Sequence, residues 1–125
     1  MSQEAKGQAI NVEEYLPKIE MMLMRNGLNL SNVDIVDDFP GDANPLRAAR
    51  CFKIAKKIEI RRHISPESKE NYLNELYKFQ EQLGMLQDDW TFIKHIVLRY
   101  ACQINNRWKD DYECAKWAFF DAKNY

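Results

Sequence analysis

The stretch 46–65, LRAARCFKIAKKIEIRRHIS, decides how this chain is read. From Arg47 to Arg62 it carries seven basic side chains and one acid. That is +6 in a 125-residue chain of net charge −1, so the rest of the chain carries −7. Arg50, Lys53, Lys57 and Arg61 are spaced 3, 4 and 4 apart, which places them on one stripe of an α-helix, with Arg47 at its edge. Cys51, Ala55 and Ile58, flanked by Ala48 and Phe52, form an apolar face beside that stripe. Asn44 can cap and Pro45 suits a first helical position. The spacing predicts a basic amphipathic helix over 45–63.

A cationic ridge of this kind can meet phosphates or an acidic protein surface. Arg47, Arg50, Lys53, Lys57 and Arg61 are the candidate contacts. Three plainer uses compete. The side chains can be solvated, or their long stems can simply cover core surface. They can also pair within the chain, because 28–45 holds Asp34, Asp37, Asp38 and Asp42 and no Lys or Arg.

Elsewhere the signals are helical. Asn11, with Glu14 three residues on, predicts a helix start. Pro17 is expected to kink that helix or split off a short first turn, and Gly27 to close it in a left-handed conformation. Ser31 is a candidate cap for one short turn through Val36, and Pro40-Gly41 for a turn. Ser65-Pro66-Glu67 opens a helix expected to run to Leu83, its seam formed by Tyr72, Leu76, Phe79 and Leu83. Trp90, Ile93, Val97, Tyr100 and Ile104 keep helical phase with Trp108, Tyr112, Ala115, Phe119 and Ala122. That phase predicts one long helix over 89–122, although NNRWKDD at 105–111 resembles a break. No alternation of strand type stands out.

The expected fold is therefore all-α: a single-domain irregular bundle of four or five helices with a long C-terminal helix, behind a flexible N-terminus at 1–10.

No catalytic, cofactor-binding or metal motif is legible: the glycine-rich phosphate loops are missing, and the cysteines lack CxxC spacing. On the predicted helix His95 lies opposite the apolar seam and is expected to face solvent. Asp88–Asp89 and Asp110–Asp111 suit helix capping better than acid–base chemistry. Cys51, Cys102 and Cys114 are an odd count, expected to be reduced thiols in a cytoplasmic protein. The stretch MSQEAKGQAI is not a secretory leader, and no apolar run approaches bilayer length.

The last fourteen residues, YECAKWAFFDAKNY, are aromatic. Tyr112 and Phe119 fall on the core face, while Trp117 and Phe120 point away from it and, with Tyr125, are interface candidates. Together these observations favour a non-enzymatic binding protein (an adaptor, inhibitor or small subunit) without cofactor or membrane attachment. Nucleic-acid binding through 45–63 is the alternative, and self-association through the aromatic patch is a further expectation.

Overall fold

In the computed structural model, residues 8–28 and 32–124 are described. Among them lie β1 (Ile10–Asn11), α1 (Leu16–Arg25), β2 (Asn32–Val36), β3 (Ala49–Phe52), β4 (Lys57–Arg61), β5 (His63–Ile64), α2 (Pro66–Glu75), α3 (Asp89–Ile104) and α4 (Asp111–Ala122). The fold is thus mostly helical but not all-α, because the basic stretch forms strands.

Arg47–Arg62 contains a β-hairpin. Strand β3 pairs antiparallel with β4, matching Ala49 with Ile60, Arg50 with Glu59, Cys51 with Ile58 and Phe52 with Lys57. Strand β2 pairs parallel with the other side of β4, giving the order β2-β4-β3. The deciding signal is local: Lys57-Ile58-Glu59-Ile60-Arg61 alternates polar and apolar, and both isoleucines have no exposed surface. β-Branched side chains suit a pleated, half-buried surface. Lys53–Lys56 form the connecting loop, where Lys56 adopts φ 55° and its N–H meets the Lys53 carbonyl at 3.3 Å.

The expected helix start is only a turn. The Asn44 side-chain oxygen accepts from the Leu46 N–H at 3.0 Å, and its carbonyl accepts from the Arg47 N–H at 3.2 Å. An Asx-turn and a helix cap share this sequence signature. The short helical turn expected through Val36 is replaced by β2, and its candidate cap Ser31 lies outside the described residues. The Pro40-Gly41 turn is present: Gly41 has φ 80°, and the Asp42 N–H reaches the Phe39 carbonyl at 3.1 Å.

The expected long helix is two helices. At the end of α3, Asn106 takes φ 52°, its N–H bonds the Gln103 carbonyl, and the Arg107 N–H bonds the Cys102 carbonyl, both at 3.1 Å. This is a Schellman stop with asparagine in place of glycine. Asp110 then caps helix α4, its side chain accepting from the Glu113 N–H at 2.9 Å. The two helices form an antiparallel hairpin. The apolar phase persisted across the break because both helices present that face to a common core. The capping role expected of Asp88 is also observed, its carboxylate accepting from the Thr91 N–H at 2.9 Å.

The hairpin is closed by a disulfide between Cys102 and Cys114, whose Cα atoms lie 5.7 Å apart. The expectation of three reduced thiols therefore fails, and Cys51 is the remaining free cysteine. Separations of 51 and 12 residues between cysteines carry no pairing signal until the hairpin is known. Alkylation of the denatured, unreduced protein should label Cys51 alone. Replacing both Cys102 and Cys114 by Ala should lower stability by about 3 kcal/mol, from the loop-closure entropy released to the unfolded chain. Urea denaturation checks this; an unchanged midpoint would contradict the cross-link.

Helix α3 is the centre of the core. Phe92, Ile93, His95, Ile96, Val97 and Leu98 are all buried, a run that circles the helix. Such a helix is enclosed on every side, which is why the expected solvent exposure of His95 is wrong.

Helix α1 is closed by Gly27 as expected (φ 64°), and follows a 3-10 turn over Val12–Tyr15 capped by Asn11, with Pro17 in the first turn of the helix proper. Ser65 caps α2, accepting from the Ser68 N–H at 3.1 Å. That helix stops at Glu75 rather than Leu83, passing into short 3-10 turns over Tyr77–Phe79 and Leu83–Gln87. Asn71 and Asn74 weaken its second half. Nor does a flexible segment extend to residue 10: Ile10 is buried and pairs with Ile64, while residues 1–7 lie outside the described part.

Candidate functional site

The strands scatter the residues that helical spacing had collected. Arg50 lies on β3, Lys57 and Arg61 on β4, Lys53 in the loop between them, and Arg47 before β3. Ile58 and Ile60 point inward, so Lys57, Glu59 and Arg61 line the opposite face of the sheet.

That face is neutralised by the chain itself. Arg47 pairs with Asp42 at 2.5 Å, Arg50 with Glu59 at 2.7 Å, and Arg61 with Asp38 at 3.6 Å. Lys57 lies 3.6 Å from Asp34 and 3.5 Å from Glu59, and Arg62 pairs with Asp37 at 2.7 Å and Glu13 at 2.5 Å. All four aspartates of the acidic block are used. The side-chain hydrogen bond from Arg47 is the main reason the Asp42 carboxyl sits below the usual carboxylate range. Phe39 is buried over the sheet, with the Arg50 and Arg61 guanidinium carbons 4.5 and 5.0 Å from its ring centroid. Of the seven cations only Lys53 and Lys56, at the loop, form no ion pair among the described residues. Between them Ile54 is fully exposed.

A different surface lies along α4. Trp108, in the loop before the helix, stacks on Trp117 with centroids 5.1 Å apart and planes 2° from parallel. Phe120 meets Trp117 edge-on, with centroids 5.4 Å apart. Trp108 is 42% exposed and Phe120 56% exposed, whereas Phe119 is buried. Tyr112, expected on the core face, stacks on Phe79 yet remains 48% exposed. Tyr125 lies outside the described residues.

Trp117 separates two clefts. One, of about 250 Å³, is lined by Phe79, Gln82, Lys116, Phe119, Phe120 and Lys123 together with Trp117. The other, of about 280 Å³, runs over the disulfide beside Trp108, Arg107 and Asp121. Helical spacing had placed Trp108 in the core. Its neighbours Asn105, Asn106, Asp110 and Asp111 were the signal that it belongs to a loop.

The buried polar groups form a structural network. His95 has no exposed surface; its Nδ1 lies 2.8 Å from the Tyr72 hydroxyl and its Nε2 lies 3.0 Å from the Ala115 carbonyl. Nε2 therefore carries the proton and donates to the carbonyl, and Nδ1 accepts from the tyrosine. Burial pushes the His95 pKa down to about 3, with the Ala115 bond opposing only in part. Arg99 donates to Asp111 through Nε at 2.8 Å and Nη2 at 2.6 Å, and Gln103 donates to the same carboxylate. Burial pushes Asp111 upward, but these hydrogen bonds and the Arg99 charge hold it below its ordinary value. The network ties α2, α3 and α4 together and presents no imidazole to a substrate in solvent.

Cys51 is half-buried, 3.7 Å from the Tyr100 carbonyl, and burial raises its pKa, which makes it a poor nucleophile. Among the described residues no three His, Cys, Asp or Glu side chains converge as metal ligands, and no helix is long and apolar enough to cross a membrane. The chain matches no protein-family model, no curated protein and no solved structure.

Proposed function

We propose that this chain is a non-enzymatic binding protein, an adaptor, inhibitor or small subunit, that contacts a protein partner through the aromatic face of α4. The observation that carries this is the Trp108–Trp117–Phe120 cluster, in which exposed Trp108 and Phe120 flank a half-buried Trp117. Large aromatics in exposed, preassembled geometry are the side chains that dominate binding energy at interfaces. The stacked pair loses little freedom on binding, which lowers the ordering cost. The disulfide fixes the Trp108 loop against α4, so the surface is presented by a rigid hairpin.

Nucleic-acid binding through 45–63 has weaker support than the charge count implied. Five of its seven cations already have carboxylate partners, leaving fewer counterions to release. The cytoplasmic location expected from the cysteines also loses its ground. The Cys102–Cys114 bond fits an oxidising compartment.

Affinity capture from the source cells, followed by titration of the captured protein, tests this reading. Trp108→Ala and Phe120→Ala change exposed side chains and should leave thermal unfolding nearly unchanged. Each should weaken the partner's binding by about tenfold or more, and Lys53→Glu with Lys56→Glu should not. The opposite pattern would move the interface to the β-hairpin. Concentration-dependent dimerisation abolished by Phe120→Ala would make the partner a second copy.

A further inference from the structure

We propose that the occupant of the cleft beside Trp117 is an acidic protein segment carrying one bulky apolar anchor. This rests on the α4 face being the docking surface, and adds the chemistry of what docks there. Four aromatics, Phe79, Trp117, Phe119 and Phe120, line the cleft together with two cations, Lys116 and Lys123. A volume of about 250 Å³ falls below the range of roughly 300–1,000 Å³ usual for small-molecule pockets. It has room for one large side chain.

The charge is what selects the partner. Lys116 on α4 and Lys123 at its C-terminal cap are seven residues apart, about 10 Å along the helix axis, with Phe119 and Phe120 between them. Lys78 adds a third cation, 5.9 Å over the Tyr112 ring. None of the three forms an ion pair among the described residues, in a chain where most cations of the sheet are paired. Among the described residues no carboxylate lines the cleft with Lys116 and Lys123; Glu81 shares the adjoining hollow with Lys78 and Lys116, Glu113 precedes Lys116 by one turn, and Asp121 lines the opposite cleft with Arg107. A segment with carboxylates about 10 Å apart and a Phe, Leu or Trp between them matches this pattern. On a helix those are acids at i and i+7 around an anchor at i+3 or i+4.

The test is selection of peptides from a random phage-displayed library on the full-length, unreduced protein. Enriched peptides are then synthesised and titrated against wild type, Phe120→Ala and the Lys116→Glu/Lys123→Glu pair. The expected result is peptides with Asp or Glu on both sides of a large apolar residue. Their affinity should fall about tenfold or more with the charge reversal, fall likewise with Phe120→Ala, and weaken in wild type as salt is raised. Neutral or basic peptides that lose binding with Phe120→Ala but not with the charge reversal would overturn the acidic occupant and leave the docking face standing. Peptides indifferent to both variants, or no enrichment over bare matrix, would overturn both.

Discussion

Asp111→Ala should destabilise the fold by about 3 kcal/mol. The cost comes from what it leaves behind. Arg99 is a side chain only 9% exposed, and Asp111 is its bidentate partner. Guanidinium stays charged at any ordinary pH, so removing the carboxylate strands a cation with only Glu75, at 3.9 Å, in reach. Breaking a buried pair in this way costs about 3–5 kcal/mol. Asp111 is itself half exposed, so water can partly replace it and the lower end applies. Replacing Arg99 by Met in the same background removes the stranded charge. The double variant should therefore be more stable than Asp111→Ala alone. Urea unfolding of the wild type and the two variants checks this; a loss below about 1 kcal/mol for Asp111→Ala would make the pair an ordinary surface contact.

Acidification should produce the second large effect. His95 titrates near 6.5 when unfolded and near 3 when folded, because burial disfavours its charged form. Between those values the unfolded chain holds a proton that the folded chain does not. Stability is therefore intact above pH 6.5 and falls as pH drops, by about 1.4 kcal/mol per unit at full slope and several kcal/mol over the window. Asp42, Asp88 and Asp111, held below their ordinary values, contribute stability present above about pH 4 and lost below it. Burial pushes the Asp121 carboxyl above its ordinary value, so its protonation opposes the histidine effect as pH falls. In the interval from pH 6.5 to 4.5 it is therefore the comparison with His95→Gln that isolates the histidine. Chemical denaturation across that interval should show the slope in wild type and its disappearance in His95→Gln. A flat wild-type profile would mean that His95 accepts a proton without unfolding.

Local punctuation was the most legible part of the sequence. Asn11, Gly27, Gly41, Ser65-Pro66, Asp88 and Asp110 each act where their chemistry placed them, because a cap or turn depends on neighbours within four residues. Periodicity misled where two patterns coincide. Arg50, Lys53, Lys57 and Arg61 have helical spacing, and Lys57–Arg61 also alternates with the period of a strand. The two isoleucines of β4 and the alternation of Asn32-Val33-Asp34-Ile35-Val36 in β2 favour strands, but the pairing of β4 with β2, more than twenty residues upstream, is not a local signal. The same weakness joined α3 to α4: shared phase outweighed the local asparagines and aspartates, although two helices facing one core keep phase without being continuous.

The candidate site was legible in half. Phe120 is exposed on α4, while Trp117 is half-buried against Trp108. Trp108 joins them only because the chain turns back at Asn106. Phe79 and Gln82 reach the cleft from the 3-10 region, far away in sequence. The acidic block had been weighed as an internal partner for the basic stretch, and the pairing occurs, but across strands and loops rather than along a helix.

Whether the basic stretch is a self-neutralised hairpin is tested most directly by proton contacts along residues 46–65 in solution NMR. A hairpin gives strong contacts from each Hα to the next amide. It also gives cross-strand contacts joining Ala49 to Ile60 and Cys51 to Ile58. Continuous amide-to-amide contacts from 46 to 63, with no cross-strand partner, would restore the helix and its cationic ridge, and would return the search for a partner to Arg50, Lys53, Lys57 and Arg61.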